Sequence, residues 1–500
     1  MGKKLSEWVI QRSQTGEGPW YAELSPVPRP EFAFDRYLCR RHCLFLDSAT
    51  PQHRLGRYSF LTADPLKWHV SMLDEPSPFK ALRHLIRHFH AKRVEELPPF
   101  QGGMAGLWSY DLNRSMEQIP PPQYRDLESP AVAVGIYDTV VAWDHQQNRC
   151  WVLSHGLSSD LTVSDGELAA ERISEVCRRL NEEAVTEDRL SNVDSESWNR
   201  RQRLESPSFE VEGSPEMFSN FSREGFLEAV QRGIEYIRAG DIFQVNLAHR
   251  LRTPARTSAG RLYRSLRQNN PAPFAGFLDL GESQVVSASP ERLVQIRDRV
   301  VESRPIKGTT HRTRFPEADL SAAETLRQSE KDRAENIMIV DLLRNDLSKI
   351  CKADSIQVTQ LCEVEPYQYV QHLVSAIRGV LKENADGLDV IEAIFPGGSI
   401  TGAPKIRAME IIAELEPTPR GAYCGSLGYI GFDGSCDFNI LIRTITAQAG
   451  WWSFPVGGGI VYQSSPEKER VETWHKARGL IRGIEAARSG AWGSEKRSFI

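Results

Sequence analysis

The sequence predicts an α+β fold, and three observations carry that prediction. Short β-rich runs and amphipathic helices alternate irregularly, without the strand–helix–strand cadence of a doubly wound or barrel fold. No segment repeats with a period of roughly 20 to 50 residues, which sets solenoids and propellers aside. The 500 residues are 40% apolar and include eleven tryptophans, ample material for a large buried core. The 61 basic and 66 acidic side chains leave a net charge of −5 with no basic block, so no nucleic-acid partner is expected.

Residues 1–155 read as a β-rich region. AVAVGIYDTVVAW (131–143) and RCWVLSH (149–155) are strand-like, and PVPRP and IPPPQ punctuate them. Asp138 interrupts the first run, which falls short of the roughly 18 apolar residues that span a bilayer. No membrane segment is expected. The opening MGKKLSEWVI lacks a signal peptide's apolar core, and the myristoylation-like Gly2 and Ser6 have no second anchor, so the expected location is cytoplasmic. GELAAERISEVCRRL (166–180) predicts an amphipathic helix, and the charged, Ser-rich stretch over 181–213 predicts a linker, giving a helix-plus-linker segment over 156–215. A third segment, 216–490, carries the dense motifs. There Ser222 is placed to cap a helix reaching about Arg238, Gly240 to end it, and DIFQVNLAHRL to resume as a strand. Eight scattered cysteines, with one CxxxC at Cys39 and Cys43, fit reduced thiols better than disulfides or zinc. His84, His88 and His90 lack further ligands at a useful spacing and read as a partly exposed helix.

Two predicted helices each carry acids at i, i+3, which places both side chains on one face. Asp332 and Glu335 lie on one, Glu469 and Glu472 on the other, where Ser465 and Pro466 mark the helix start. Carboxylates from two facing helices suit Mg²⁺, which keeps much of its water; a solvated surface is the plain alternative. Gly457, Gly458 and Gly459 could let an anion approach backbone N–H groups, or could form a tight loop. FPGGSITGAPKIRAMEII (395–412) lacks the order of a nucleotide P-loop. Lys307 in RPIKGTT could be solvated, pair with a substrate carboxylate, or act as a desolvated nucleophile. Residue chemistry alone thus reaches an α+β enzyme that could use Mg²⁺ and backbone amides to hold a small anion, and it does not reach the substrate.

Taken in order, ASPERL at 288, RPIKGTT at 304, KDRAENIMIVDLLRNDL at 331, HLVS at 372, FPGGSITGAPKIRAMEII at 395, GSLGYI at 425 and GGGIV at 457 resemble the chorismate-utilising enzymes. The resemblance implies a large chorismate-binding fold of antiparallel sheets packed as a sandwich with helices outside. LFLDSAT (44–50) resembles the opening signature of the branch holding component I of anthranilate synthase and of aminodeoxychorismate synthase. In that family anthranilate synthases usually read PIAGT and aminodeoxychorismate synthases PIKGT, so Lys307 implies the second. Gln244 stands where the water-using members place a lysine, which argues against water as nucleophile.

By the same resemblance, Glu335 and Glu472 are Mg²⁺ ligands with Glu469 and Asp332 as outer partners. Tyr423, Arg443 and the amides of Gly457, Gly458 and Gly459 hold the enolpyruvyl carboxylate, and Gly308 and Thr309 line the ring. Lys307 attacks C2 of chorismate as the C4 hydroxyl leaves, Glu291 is the general acid and base, and His372 supports. An unperturbed lysine has a pKa of about 10.4, so the site has to lower it. Ammonia then enters at C4. Without a recognisable amidotransferase segment, a separate glutamine amidotransferase subunit is implied as its source. Ser48, Leu55, Gly56, Arg57 and Tyr58, with Pro273, Phe274 and Ala275, resemble a tryptophan pocket, which is regulatory in one branch and structural in the other; plain packing between sheets is the alternative. The rival readings are an anthranilate synthase component and a silent tryptophan-binding relative.

Overall fold

The computed structural model describes residues 8–12, 16, 18–50, 55–182, 203–312, 315–366 and 370–489. The Gly2 and Ser6 pattern and most of the predicted linker, 183–202, lie outside them. Among the described residues two antiparallel sheets of fourteen and ten strands form the frame. The larger passes from Trp20–Glu23 through Arg149–Ser154, Thr139–Asp144, Tyr58–Thr62, Leu44–Asp47, Phe274–Asp279, Ser283–Ser289 and Thr444–Gln448 to Trp451–Ile460 and Gln244–Pro254. In the smaller, Ile306–His311, Val370–Val380, Val300–Ser303, Arg292–Arg297, Cys436–Asn439, Ser426–Gly431, Gly103–Trp108, Val132–Tyr137 and Lys67–Ser71 follow one another.

Alternation along the strands explains how the layers stack. Successive side chains of a strand point to opposite faces. Phe45, Val141, Val152, Phe277 and Val286 pack outward against helices. Their neighbours Leu44, Val140, Leu153, Leu278 and Val285 point inward, into a core completed by Ala105, Leu107, Leu427 and Tyr429 of the other sheet. Helices Pro30–Tyr37, Gly166–Asn181, Ala259–Asn269 and Pro466–Ser489 cover the larger sheet. Ile339, Val340, Ile391 and Ile411, from Glu330–Ser348, Gly387–Ile394 and Lys405–Leu415, enter the cluster that packs on the smaller sheet. This is the expected α+β sandwich.

The three sequence segments are interleaved in space. Leu44–Asp47 pairs with Phe274–Asp279, and Gly103–Trp108 with Ser426–Gly431, so segments 1–155 and 216–490 share both sheets. AVAVGIYDTVVAW is two strands in different sheets: Val132–Tyr137 lies in the smaller and Thr139–Asp144 in the larger, with Asp138 at the crossing. Its buried carboxylate accepts from Ser154 Oγ (2.8 Å), the Leu157 amide (3.1 Å) and Arg172 (2.5 Å), which satisfies an acid inside an apolar run. The end of the predicted linker is also structured. Ser206 is buried against the guanidinium groups of Arg250 (2.9 Å) and Arg252 (3.1 Å), and Phe209–Glu210 pairs with Phe218–Ser219.

The helix after Ser222 follows its signals closely. It runs Arg223–Ala239, Ser222 Oγ accepts the Gly225 amide at 3.0 Å, and Gly240 closes it in the left-handed region (φ 87°). The histidine run differs from expectation: the helix is Phe79–Ile86, so His88 and His90 lie beyond its end. All eight cysteines are free thiols. Among the described residues no helix is long and apolar enough to cross a membrane. Replacing Ser222 with Ala removes the cap, and we expect a loss of about 1 kcal/mol in chemical denaturation with secondary structure unchanged by circular dichroism.

Candidate active site

Lys307 is aimed by a kink in its own strand. In the pairing of Ile306–His311 with Val370–Val380, Lys307 faces Leu373 and Thr309 faces His372, leaving Gly308 between them as an extra residue. Gly308 is left-handed (φ 70°), and a Cβ there would come within 2.9 Å of Asp332 Cγ and 2.8 Å of Leu326 Cδ1. Only glycine fits this bulge, and bulges redirect neighbouring side chains. Lys307 Nζ reaches Glu335 Oε2 at 3.6 Å and the Ser399 carbonyl at 3.4 Å, with its side chain mostly buried.

The two acid-bearing helices meet around this amine. Glu335 extends from Glu330–Ser348, and Glu469 and Glu472 from the opening turns of Pro466–Ser489. Lys331 stands between the helices, its Nζ 3.9 Å from Glu335 Oε1 and 3.8 Å from Glu469 Oε1. Asp332 is partly spoken for, since its Oδ2 accepts Ser329 Oγ at 2.6 Å beside Gly308. Burial raises the Glu469 carboxyl against a hydrogen bond from Ser464, and Glu472 raises it further. Burial also acts on Glu472, but Lys476 outweighs it and holds that carboxyl low. Glu469 Oε2 is buried without a hydrogen-bond partner. Among the described residues, no three His, Cys, Asp or Glu side chains close on one point. An all-oxygen donor set with an unsatisfied buried carboxylate oxygen fits a hard cation, which would take the place Lys331 Nζ holds between Glu335 and Glu469.

The three glycines form part of a strand, not a loop. In Trp451–Ile460, Gly459 pairs with Asn246, Gly458 with Leu247 and Gly457 with Ala248. The amides of Asn246 and Ala248 point away from this ladder, to the Thr401 carbonyl (2.7 Å) and Glu416 Oε1 (2.9 Å). Paired residues of an antiparallel ladder face the same way, inward or outward. Gly459 and Gly457 therefore turn their peptide edges outward, and Lys476 Nζ occupies the Gly457 carbonyl at 2.9 Å. Lys476 also pairs with Glu472 at 2.8 Å; burial lowers its pKa against that pairing, and Lys307 and Arg443 nearby lower it further.

Arg443 is a cation in want of an anion. It holds a left-handed backbone (φ 53°), and burial lowers its pKa while Tyr423 opposes the shift. Among the described residues its guanidinium has neither a carboxylate nor a hydrogen-bond partner. A free planar fork beside outward amides is suited to a carboxylate. Glu291 is fully buried, and burial pushes its pKa up to about 7 against a hydrogen bond from Ser399 and the charge of Lys307. Its carboxyl can thus give and take a proton near neutrality. Gln244 is wholly buried with both amide atoms unpartnered, and it and Lys307 both face Gly459. His372 Nδ1 bonds Thr309 Oγ1 at 2.8 Å, an orienting contact on the neighbouring strand.

The structure thus brings Lys307, Gly308, Thr309, Glu335, Glu469, Glu472 and the glycine strand together, with Glu291, Arg443 and Tyr423 linked to them by charge. Sequence reasoning missed Lys331, Lys476 and Ser399. A lysine four residues after Glu472 reads as an exposed helix pair, and nothing local shows that it also reaches the Gly457 carbonyl.

The second group of residues forms a separate cavity of about 250 Å³ between the sheets. Ser48, Leu55, Arg57, Tyr58, Pro273, Phe274 and Ala275 line it; Gly56 does not. Arg57 is held by Asp144 (2.7 Å), and Ser48 Oγ donates to the Pro273 carbonyl (3.0 Å). Arg292, next in sequence to Glu291, also lines this cavity.

Comparison with known proteins bears on the chemistry. A family model described as chorismate binding enzyme matches residues 41–482. Anthranilate synthase component 1 of Thermus thermophilus is 41% identical over 411 residues, covering 82% of this chain and 83% of that protein. Aminodeoxychorismate synthase component 1 of Bacillus subtilis is 37% identical over 459 residues, covering 89% and 92%. The crystal structure of anthranilate synthase component I from Streptococcus pneumoniae superposes with a TM-score of 0.72 at 30% identity, covering 85% of this chain and 92% of that one.

The raised pKa of Glu291 makes stability fall with pH. Its folded value of about 7 lies above the ordinary glutamate value of 4.5, so its contribution is full below the lower value and lost as pH rises through the higher one. Relative to Glu291→Gln, the wild-type chain should lose about 3 kcal/mol between acid and mildly alkaline pH. Thermal melts of both proteins at pH 5 and pH 8, without divalent ions, test this; a constant difference between them would refute it.

Proposed function

The chain belongs to the chorismate binding enzymes, and from that premise we propose that it is component I of an aminodeoxychorismate synthase. In this reading it aminates chorismate to 4-amino-4-deoxychorismate for 4-aminobenzoate and folate biosynthesis. The observation that carries the branch is Lys307, the lysine of PIKGT, directed by the Gly308 bulge toward Glu335 and the Ser399 carbonyl.

Chorismate carries two carboxylates. Arg443 and the outward amides of the glycine strand receive the enolpyruvyl carboxylate, with Tyr423 near enough to Arg443 to act on its charge. Glu335 and Glu472, with Glu469 and Asp332 as outer partners, would hold Mg²⁺, which screens the ring carboxylate when bound. Lys307 Nζ forms a bond to C2 while the C4–O bond breaks, and Glu291 protonates the departing oxygen as water. Ammonia then forms the C4–N bond as the C2–Nζ bond breaks, and Glu291 takes back a proton. Gln244 supplies no base for water, and its unpartnered amide is uncharged.

The ammonia is assigned to a separate glutamine amidotransferase, in keeping with the designation component 1 of the relatives. Cys424 is no glutaminase nucleophile, because burial pushes its thiol up to about 12. We assign L-tryptophan to the cavity between the sheets and place the enzyme in the cytoplasm. The second reading, anthranilate synthesis with loss of pyruvate, is favoured by the 41% identity to the Thermus protein. A silent tryptophan-binding relative would have no chemical need to keep Glu291, Lys307, Glu335, Arg443 and Glu472 together.

Incubation of the purified chain with chorismate, Mg²⁺ and an ammonium salt at mildly alkaline pH is expected to give aminodeoxychorismate with pyruvate retained. Anthranilate with free pyruvate would overturn the branch. Chelation should abolish turnover and added Mg²⁺ restore it. Lys307→Ala should slow amination by about two orders of magnitude or more; an unchanged rate would remove the covalent role. Calorimetric titration with L-tryptophan should show one site per chain, lost when Ser48 is replaced by a bulky residue.

A further inference from the structure

A buried ion pair behind the site takes no part in the chemistry above. Arg420 and Glu416 are 6% and 7% exposed and meet as a fork, with Nε to Oε2 at 2.9 Å and Nη2 to Oε1 at 2.6 Å. The guanidinium lies 4.5 Å from the centre of the Tyr110 ring. Such pairs give little net stability, since apolar residues of equal volume usually serve as well. Their other hydrogen bonds are therefore informative.

Arg420 Nη1 donates to the Ile400 carbonyl (3.0 Å) and Nη2 to the Asn246 carbonyl (2.7 Å). Glu416 Oε1 accepts the Ala248 amide (2.9 Å), and beside the pair a main-chain turn closes with the Tyr423 amide on the Arg420 carbonyl (3.2 Å). The three outside partners of the two side chains are main-chain atoms next to a wall of the site. Ile400 follows Ser399, whose side chain bonds Glu291 and whose carbonyl receives Lys307. Asn246 and Ala248 face Gly459 and Gly457 across the ladder. Tyr423 adjoins Arg443 electrostatically.

We propose that the Arg420–Glu416 pair is a positioning device that fixes the wall carrying Glu291 and Lys307 relative to the glycine strand. A planar guanidinium reaches two carbonyls on separate segments while its remaining edge is held by one carboxylate; a lysine has a single nitrogen to offer. Displacement of reacting groups by about 1 Å can cost about a hundredfold in rate. The pair thus acts through the groups it holds and touches no reactant. This role rests on the chorismate-converting reading of the site.

Arg420→Lys and Glu416→Gln in the full chain test it, with rates expressed per folded protein. Chorismate consumption is followed with all products resolved, and Lys307 labelling by an amine-directed reagent is read by peptide mass. We expect kcat to fall about a hundredfold with KM changed by less than about threefold, and the labelling rate of Lys307 to change severalfold. Wild-type kcat and labelling in both variants would overturn the proposal, even with a lowered melting temperature. If Arg420→Lys does not fold, Glu416→Gln carries the test, because its amide oxygen still accepts the Ala248 amide. A wild-type chain inactive on chorismate would defeat the functional reading; labelling, which needs no turnover, would still decide the positioning role.

Discussion

Opposed charge crowded around the mostly buried Lys307 is the constraint on which the rest of the structure depends. Lys307, Lys476 and Arg443 crowd together with Glu291, Glu335 and Glu472, and burial acts on several of them. Isolated charges in such a place are costly, so each has to be opposed or left for a ligand to oppose. Glu472 is satisfied by Lys476, Glu335 faces Lys307, and among the described residues Arg443 has no carboxylate partner. That imbalance is what makes Arg443 the proposed seat of substrate charge.

Main chain does most of the holding. The Gly308 bulge, the outward edges of Gly457 and Gly459, and the Ser399 carbonyl are backbone features, and each needs a small residue or a local turn to exist. Glycine at 308 is required by both its left-handed backbone and the 2.9 Å approach of Asp332. Side-chain chemistry is then hung on rigid strands and on the first turns of two helices, which limits how far reacting groups wander.

Much of this was legible before the fold was known. The Ser222 cap and Gly240 stop, the strand after Asp241 and the i, i+3 acid pairs are local signals that the structure keeps, because each is settled within one or two helical turns. The histidine run over 84–90 was misjudged by one turn, since no capping residue marks where its helix stops. What the sequence hid depends on distant packing. The register of Gly457–Gly459 is set by residues some two hundred positions earlier, and the reach of Lys476 to the Gly457 carbonyl by the strand beneath its helix. The two-sheet nature of residues 131–143 was equally hidden: an apolar run interrupted by one aspartate reads as a single strand until the acceptors around Asp138 are known.

The interleaving of the two sheets bears on how the molecule is made. Leu44–Asp47 can pair early with Tyr58–Thr62, and Gly103–Trp108 with Val132–Tyr137, but the other edge of each waits for Phe274–Asp279 or Ser426–Gly431 to emerge. Such long-range pairing slows folding and leaves apolar strands uncovered during synthesis. The amino-terminal third is thus an unfinished product on the ribosome for most of its translation. A fragment ending before residue 426 would leave both sheets short of strands, Ser426–Gly431 and Cys436–Asn439 in one and Thr444–Gln448 and Trp451–Ile460 in the other.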